Sequence, residues 1–226
     1  MSSNRAIRER ELGPETYIPY VRHLNETVLV LDSQALMVIM ALDGVSFETA
    51  DATDLRAFHR DLNTLYRNIA DERLALWTHI IRRRDDRYPK GIFANPFGAD
   101  LDRRYRQRMV GERLYRNDLF LSLVWSPTRC ASAAVNGFLN RLGLSPATRL
   151  DYESEALKHL GDTVDNVYAG LQRYAPRILS LYERDGILFS EPSEVLHQLV
   201  GGRREPVPLT EGRVSSAIYS DRVIVG

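Results

Sequence analysis

Two kinds of apolar pattern alternate along this chain. In "ETVLVLDSQALMVIMALDGVSFE" the apolar residues run almost without interruption. That pattern predicts two strands, about 27–31 and 35–42, joined by a tight turn at "DSQ" and followed by a second turn at Asp43-Gly44. The period then changes. Leu55, Phe58, Leu62, Leu65 and Ile69 recur at helical spacing. About 52–71 therefore reads as an amphipathic helix, with Asp51 as its N-cap and Asp54 three residues on.

The alternation continues downstream. "LALWTHIIRRR", residues 74–84, is aromatic and β-branched and predicts a strand with Trp77 in the core. "RRDDRYPKGIFANPFG" reads as a loop broken by proline and glycine, and "ADLDRRYRQRMV" as a short helix. "DLFLSLVW" predicts a strand stopped by Ser126-Pro127. It is apolar on both faces, as a central strand covered twice would be. Residues 130–141 read as a helix. From about 148 to 173 a long helix carries the stripe Leu157, Leu160, Val164, Val167 and Leu171.

"RILSLYERDGILFS" gives two short strands around "RDG". "EPSEVLHQLV" is a helix with proline in its first turn, ended by Gly201-Gly202. The chain closes on "SAIYSDRVIVG", residues 216–226, which reads as a final strand in want of a pairing partner. Residues 1–16 are charged and read as a flexible N-terminus, leaving 17–226 as one folded unit. Paired strands alternating with single helices predict an α+β fold. It would be a mostly antiparallel sheet with helices packed on one side, a two-layer sandwich.

Thirty basic and thirty acidic side chains cancel, so no global charge points to nucleic acid. Only Lys90 and Lys158 are lysines, and the other basic residues are arginine. One cysteine, Cys130, excludes an intramolecular disulfide and fits a reducing compartment. The first twenty residues lack the apolar core of a signal peptide. The longest apolar run, "ALMVIMAL", is far shorter than the roughly 20 residues that span a bilayer. The expectation is a soluble or at most peripheral protein.

Neither lysine stands in Gly-Lys-Ser/Thr, so the chain carries no Walker A motif, and G-x-G-x-x-G and G-x-S-x-G are absent too. The five histidines are not at metal-ligand spacing. His79 reads as a half-core histidine, and Cys130 as a small buried hydrophobe. Asp151, Glu153 and Glu155 complement the positive end of the long helix. No catalytic, cofactor-binding or metal-binding residue is assigned. The densest charge is Arg82-Arg83-Arg84. It is either a solvated strand end balanced by Asp85-Asp86, or a contact for an anionic partner.

Several long blocks carry a resemblance: "YIPYVRHLNETVLVLDSQALMVIMALDGVSFE", "FHRDLNTLYRNIADERLALWTHIIRR", "RNDLFLSLVW", "GILFSEPSEVLHQLVGGRREPVPL" and "SAIYSDRVIVG". From about residue 16 onward they resemble the opening of the CagE/TrbE/VirB family, the VirB-type ATPases of bacterial type IV secretion and conjugation systems. The resemblance implies that the chain is a fragment of a longer protein, whose RecA-like domain would bind ATP and magnesium. It implies a docking and assembly role at the cytoplasmic face of the inner membrane. The partners would be a small VirB-type membrane subunit, other channel components and further ATPase copies, with no direct nucleic-acid contact. Arg82, Arg83 and Arg84 are the candidate partner contact. The alternative is a module that binds nucleic acid or anionic lipid through its arginines.

Overall fold

The computed structural model describes residues 17–46, 48, 50–85, 88, 91–110, 114–126 and 146–219, with side chains from residue 153 onward in the last segment. The flexible segment expected at 1–16, the helix expected at 130–141, Cys130 and the last residues of the expected final strand all lie outside this set.

Strands β1 (Tyr20–His23), β2 (Val28–Leu31) and β3 (Leu36–Leu42) open the fold as an antiparallel meander. The turn at Asp32–Gln34 is closed by Gln34 N–H donating to the Leu31 carbonyl, and Gln34 takes a positive φ of 64°. Helix α1 (Ala52–Asn68) follows, capped as expected by the Asp51 carboxylate, which accepts from the amides of Thr53 and Asp54. Strand β4 (Leu74–Arg84), helix α2 (Pro96–Val110) and strand β5 (Tyr115–Trp125) come next. The sheet order is β1-β2-β3-β5-β4, and every pairing is antiparallel.

Helix α3 (Pro146–Gly170) and a 3₁₀ turn at Gln172–Tyr174 lead to β6 (Pro176–Ile178), which pairs with the far half of β3. Strands β7 (Leu181–Arg184) and β8 (Ile187–Ser190) form a hairpin around Asp185-Gly186, both at positive φ as a type I′ turn requires. Helix α4 (Glu191–Gly201) ends on Gly202 in the left-handed region, and α5 (Val214–Ile218) closes the described chain.

Two cores sandwich the sheet. On one face Val28, Val30, Leu36, Val38, Met40, Leu121, Leu123 and Trp125 meet Leu65 of α1 and the α3 stripe of Leu160, Val164 and Val167. The two long helices thus lie on one side of a mostly antiparallel sheet, the α+β arrangement expected. On the other face Leu29, Leu31, Met37, Ile39 and Phe120 meet Leu179, Val195, Leu196, Val207, Val214 and Ile218. The C-terminal unit of α4, α5 and their flanking loops therefore adds cover over that second face. β5 is apolar on both faces for this reason.

Two local expectations are corrected. Residues Val214–Ile218 form a helix, not a strand, because Val214 and Ile218, four apart on one side of the turn, both bury against the second core. Trp77 is 40% exposed rather than core, because β4 is the terminal strand of the sheet and, among the described residues, neither core cluster includes Trp77.

The second core is fastened to β1 by a small polar knot. The Ser190 hydroxyl caps α4 by accepting from the Ser193 amide, and it lies 2.8 Å from His23 Nε2. Burial holds the His23 pKa below its ordinary value, against the opposing pull of the Asn25 carbonyl. A depressed histidine pKa means that the unfolded chain takes up the proton first. The knot's contribution is then complete above about pH 6.5, the ordinary histidine value, and is lost as pH falls through the folded pKa. We expect the urea midpoint to decline in that window, and the decline to flatten in His23→Asn.

Candidate docking surface

Arg82, Arg83 and Arg84 stand at the end of β4, on the part of the sheet that outruns its neighbours. The β3–β5 ladder stops at Leu42↔Leu119. The β4–β5 ladder runs four pairs further, from Ile81↔Asp118 to Arg84↔Tyr115. That overhang is about 13 Å of two-stranded ribbon. It carries α2 at its tip, a helix of 15 residues and about 22 Å. The β4–α2–β5 segment is an arm projecting from the body of the domain.

Alternation along β4 splits the arginine triplet between faces. Arg83 points to the side of Phe120 and ion-pairs with Asp118, which also pairs with Arg116 at 3.2 Å. Arg82 points to the other side and lies over the Tyr115 ring, 4.4 Å from its centroid. Arg84 shares that side. The triplet is therefore not one patch: Arg83 is tied to Asp118 on one face, while Arg82 and Arg84 lie on the other, Arg82 over Tyr115.

Local chemistry holds α2 together from outside any core. The Asn95 side-chain oxygen accepts from the Gly98 amide and caps the helix. The Phe93 ring sits against Gly91 and Gly98, where a Cβ would meet it at 2.7 and 3.4 Å. Tyr88 donates to Asp102 at 2.7 Å, and Arg106 stacks on the Tyr88 ring. The Asp102 hydrogen bond, with some burial, raises the Tyr88 pKa. No described side chain of α2 is buried. Ile92 is fully exposed, and Phe97, Leu101 and Tyr105 are exposed by more than half.

The neutral total of the chain conceals this arm. Residues 82–118 hold eleven arginines and lysines against six carboxylates. Among the described residues Asp100 serves both Arg103 and Arg104, as Asp118 serves Arg83 and Arg116. Asp102 pairs with Arg106, and the eleven-to-six count leaves the arm positive. A window-by-window charge count would have found it where the whole-chain sum did not.

The root of the arm is different. A cleft of about 520 Å³ there includes Asp43, Arg116, Asp118, Arg177 and Arg204 in its lining. Arg177 pairs with Glu191 and Arg204 with Glu194, so charge is matched one for one. Among the described residues no group of three His, Cys, Asp or Glu is placed to hold a metal ion, and no helix is long and apolar enough to cross a membrane. His79 is half-buried on β4, and burial lowers its pKa. Glu153 pairs with Arg22 of β1, and Glu155 faces His159 one turn on, so both act within the fold.

The fold and this surface define an α+β sheet domain with a projecting basic arm, and its relatives are specific. Residues 27–133 match the family described as type IV secretion system ATPase VirB4/TrbE, N-terminal domain. Over 221 residues the chain is 51% identical to the type IV secretion system protein virB4 of Bartonella quintana, a match that covers 98% of this chain and 28% of that protein. It is 49% identical to the virB4 protein of Bartonella henselae over the same shares. It is also 33% identical to protein virB4 of Rhizobium radiobacter, over 96% of this chain and 27% of that protein. The chain belongs to the VirB4/TrbE family and carries its N-terminal domain. It spans little more than a quarter of the length of these relatives.

Proposed function

We propose that this chain is the docking and assembly module of a type IV secretion ATPase. In this reading it holds the nucleotide-hydrolysing part of the longer protein at the cytoplasmic face of the inner membrane. It does so by contacting a small VirB-type membrane subunit and other channel components, and it helps ATPase copies associate. By itself it hydrolyses no ATP. The observation that carries the reading is that a family segment covering 28% of its relatives builds two cores of its own and projects an arm that those cores do not use.

The test is co-fractionation. The chain would be co-expressed with the cognate small membrane subunit, and its membrane-bound share compared with expression alone. We expect a partner-dependent shift to the membrane fraction. Arg82→Glu with Arg84→Glu should reduce that shift several-fold and leave the melting transition in place. Arg83 is kept, since a glutamate there would face Asp118. An unchanged shift in the double variant would remove the arginines from the docking surface, and no shift in the native chain would remove the docking role itself.

A further inference from the structure

We propose that the arm tip binds an anionic lipid surface directly, through Ile92, Phe97, Leu101 and Tyr105 as apolar anchors and Arg104 and Arg108 as headgroup contacts. This deepens the docking reading above by giving the module a lipid contact besides its protein partner.

The spacing carries the first part. Positions 97, 101, 104, 105 and 108 follow the i, i+4, i+7, i+8, i+11 series, which is one face of a helix. Along that face Phe97 and Leu101 come first, then Arg104, Tyr105 and Arg108; Arg104 also reaches Asp100 at 2.8 Å, at 76% side-chain exposure. Exposure carries the second part. Phe97 is 76% exposed, Leu101 58% and Tyr105 55%, on a helix without a single buried side chain among those described. Ile92, at 103%, extends the apolar end. Soluble domains rarely leave so much contiguous apolar surface open without a use for it.

Charge and shape choose the occupant. The arm is positive where the rest of the chain is negative, so an anionic surface attracts this part and not the body. Ile92 and Leu101 are aliphatic and offer no ring for a base to stack on, which disfavours nucleic acid. A bilayer interface takes both kinds of side chain at once. Aliphatic and aromatic groups enter the headgroup boundary, while arginines reach back to phosphates along their own stems.

Vesicle flotation with the purified whole chain tests this. The probes are vesicles rich in phosphatidylglycerol, vesicles of phosphatidylcholine alone, and a single-stranded oligothymidine. We expect flotation with the anionic vesicles only. Arg104→Gln with Arg108→Gln should weaken it about 30-fold, at about five-fold per arginine. Phe97→Ser with Leu101→Ser should weaken it further at equal charge. Arg56→Gln with Arg60→Gln, on α1, should leave it unchanged. Since the α2 positions lie outside both cores, circular dichroism and melting should match the native chain.

Flotation with neutral vesicles, or no loss in either α2 variant, would overturn the proposal. So would oligothymidine binding that the same variants abolish. The docking reading is scored separately. If the Phe97/Leu101 variant still moves to the membrane with its protein partner, the docking role stands even when flotation fails.

Discussion

Leu160→Ala is expected to lower folding stability by about 3 kcal/mol. Leu160 is 1% exposed at the centre of the α3 stripe. It belongs to the same buried cluster as Val38, Met40 and Leu123 of the central strands. Deletion removes the transfer free energy of three carbons and leaves a cavity. The walls belong to strands fixed by ladders on both edges, so they relax little. Urea denaturation measures the loss, as a fall in midpoint at constant slope. The internal comparison is Phe97→Ser, which removes more carbon from α2 and should stay within about 0.5 kcal/mol. If both variants fell equally, α2 would have to be packed in solution, and the arm would not be free.

Arg204→Ala should lower stability by about 2 kcal/mol, for an electrostatic reason. Glu194 is 7% exposed on α4, where it accepts from Tyr182 Oη at 2.6 Å and from Arg204 Nε at 3.2 Å. The hydrogen bond to Glu194, then burial, pushes the Tyr182 pKa up to about 12. Removing Arg204 leaves a carboxylate out of water with one hydroxyl as partner. The double variant Arg204→Ala, Glu194→Gln should recover at least half of the loss, because the uncompensated charge is gone. A double variant as unstable as the single would show that Arg204 acts through its stem over Phe120, where its guanidinium carbon lies 5.8 Å from the ring centroid. The raised tyrosine pKa also fixes the alkaline limit. This contribution is complete below about pH 10, the ordinary tyrosine value, and is lost as pH climbs toward 12.

Most of the elements were legible in the sequence, because their local signals agreed with their burial. The aliphatic runs of β2 and β3, the Asp51 cap, the Asp-Gly turn between β7 and β8 and the proline and glycine bounding α4 are each decided within a few residues. What escaped was set by neighbours far along the chain. Trp77 looks like a core residue until β4 proves to be the last strand of its sheet. The stripe of α2 has the spacing of a buried face, and yet Phe97, Leu101 and Tyr105 are all exposed by more than half. "VSSAI" carries two β-branched residues and still coils, because Val214 and Ile218 find the second core that way. Short β1 has little pattern of its own and is held in register by β2. Arg82-Arg83-Arg84 was visible as charge, but the separate fates of its members follow from the pleat.

The uneven charge also governs how copies of this chain behave toward one another. At neutral pH the protein is formally uncharged overall, yet residues 82–118 carry an excess of five positive charges that the rest of the chain balances. In dilute buffer an uneven charge of this kind favours contact of arm with body between copies, and solubility is expected to be lowest there. Added salt shortens the reach of that attraction to about 10 Å at 0.1 M, well under the length of the arm. We therefore expect solubility to rise as salt is added to dilute buffer.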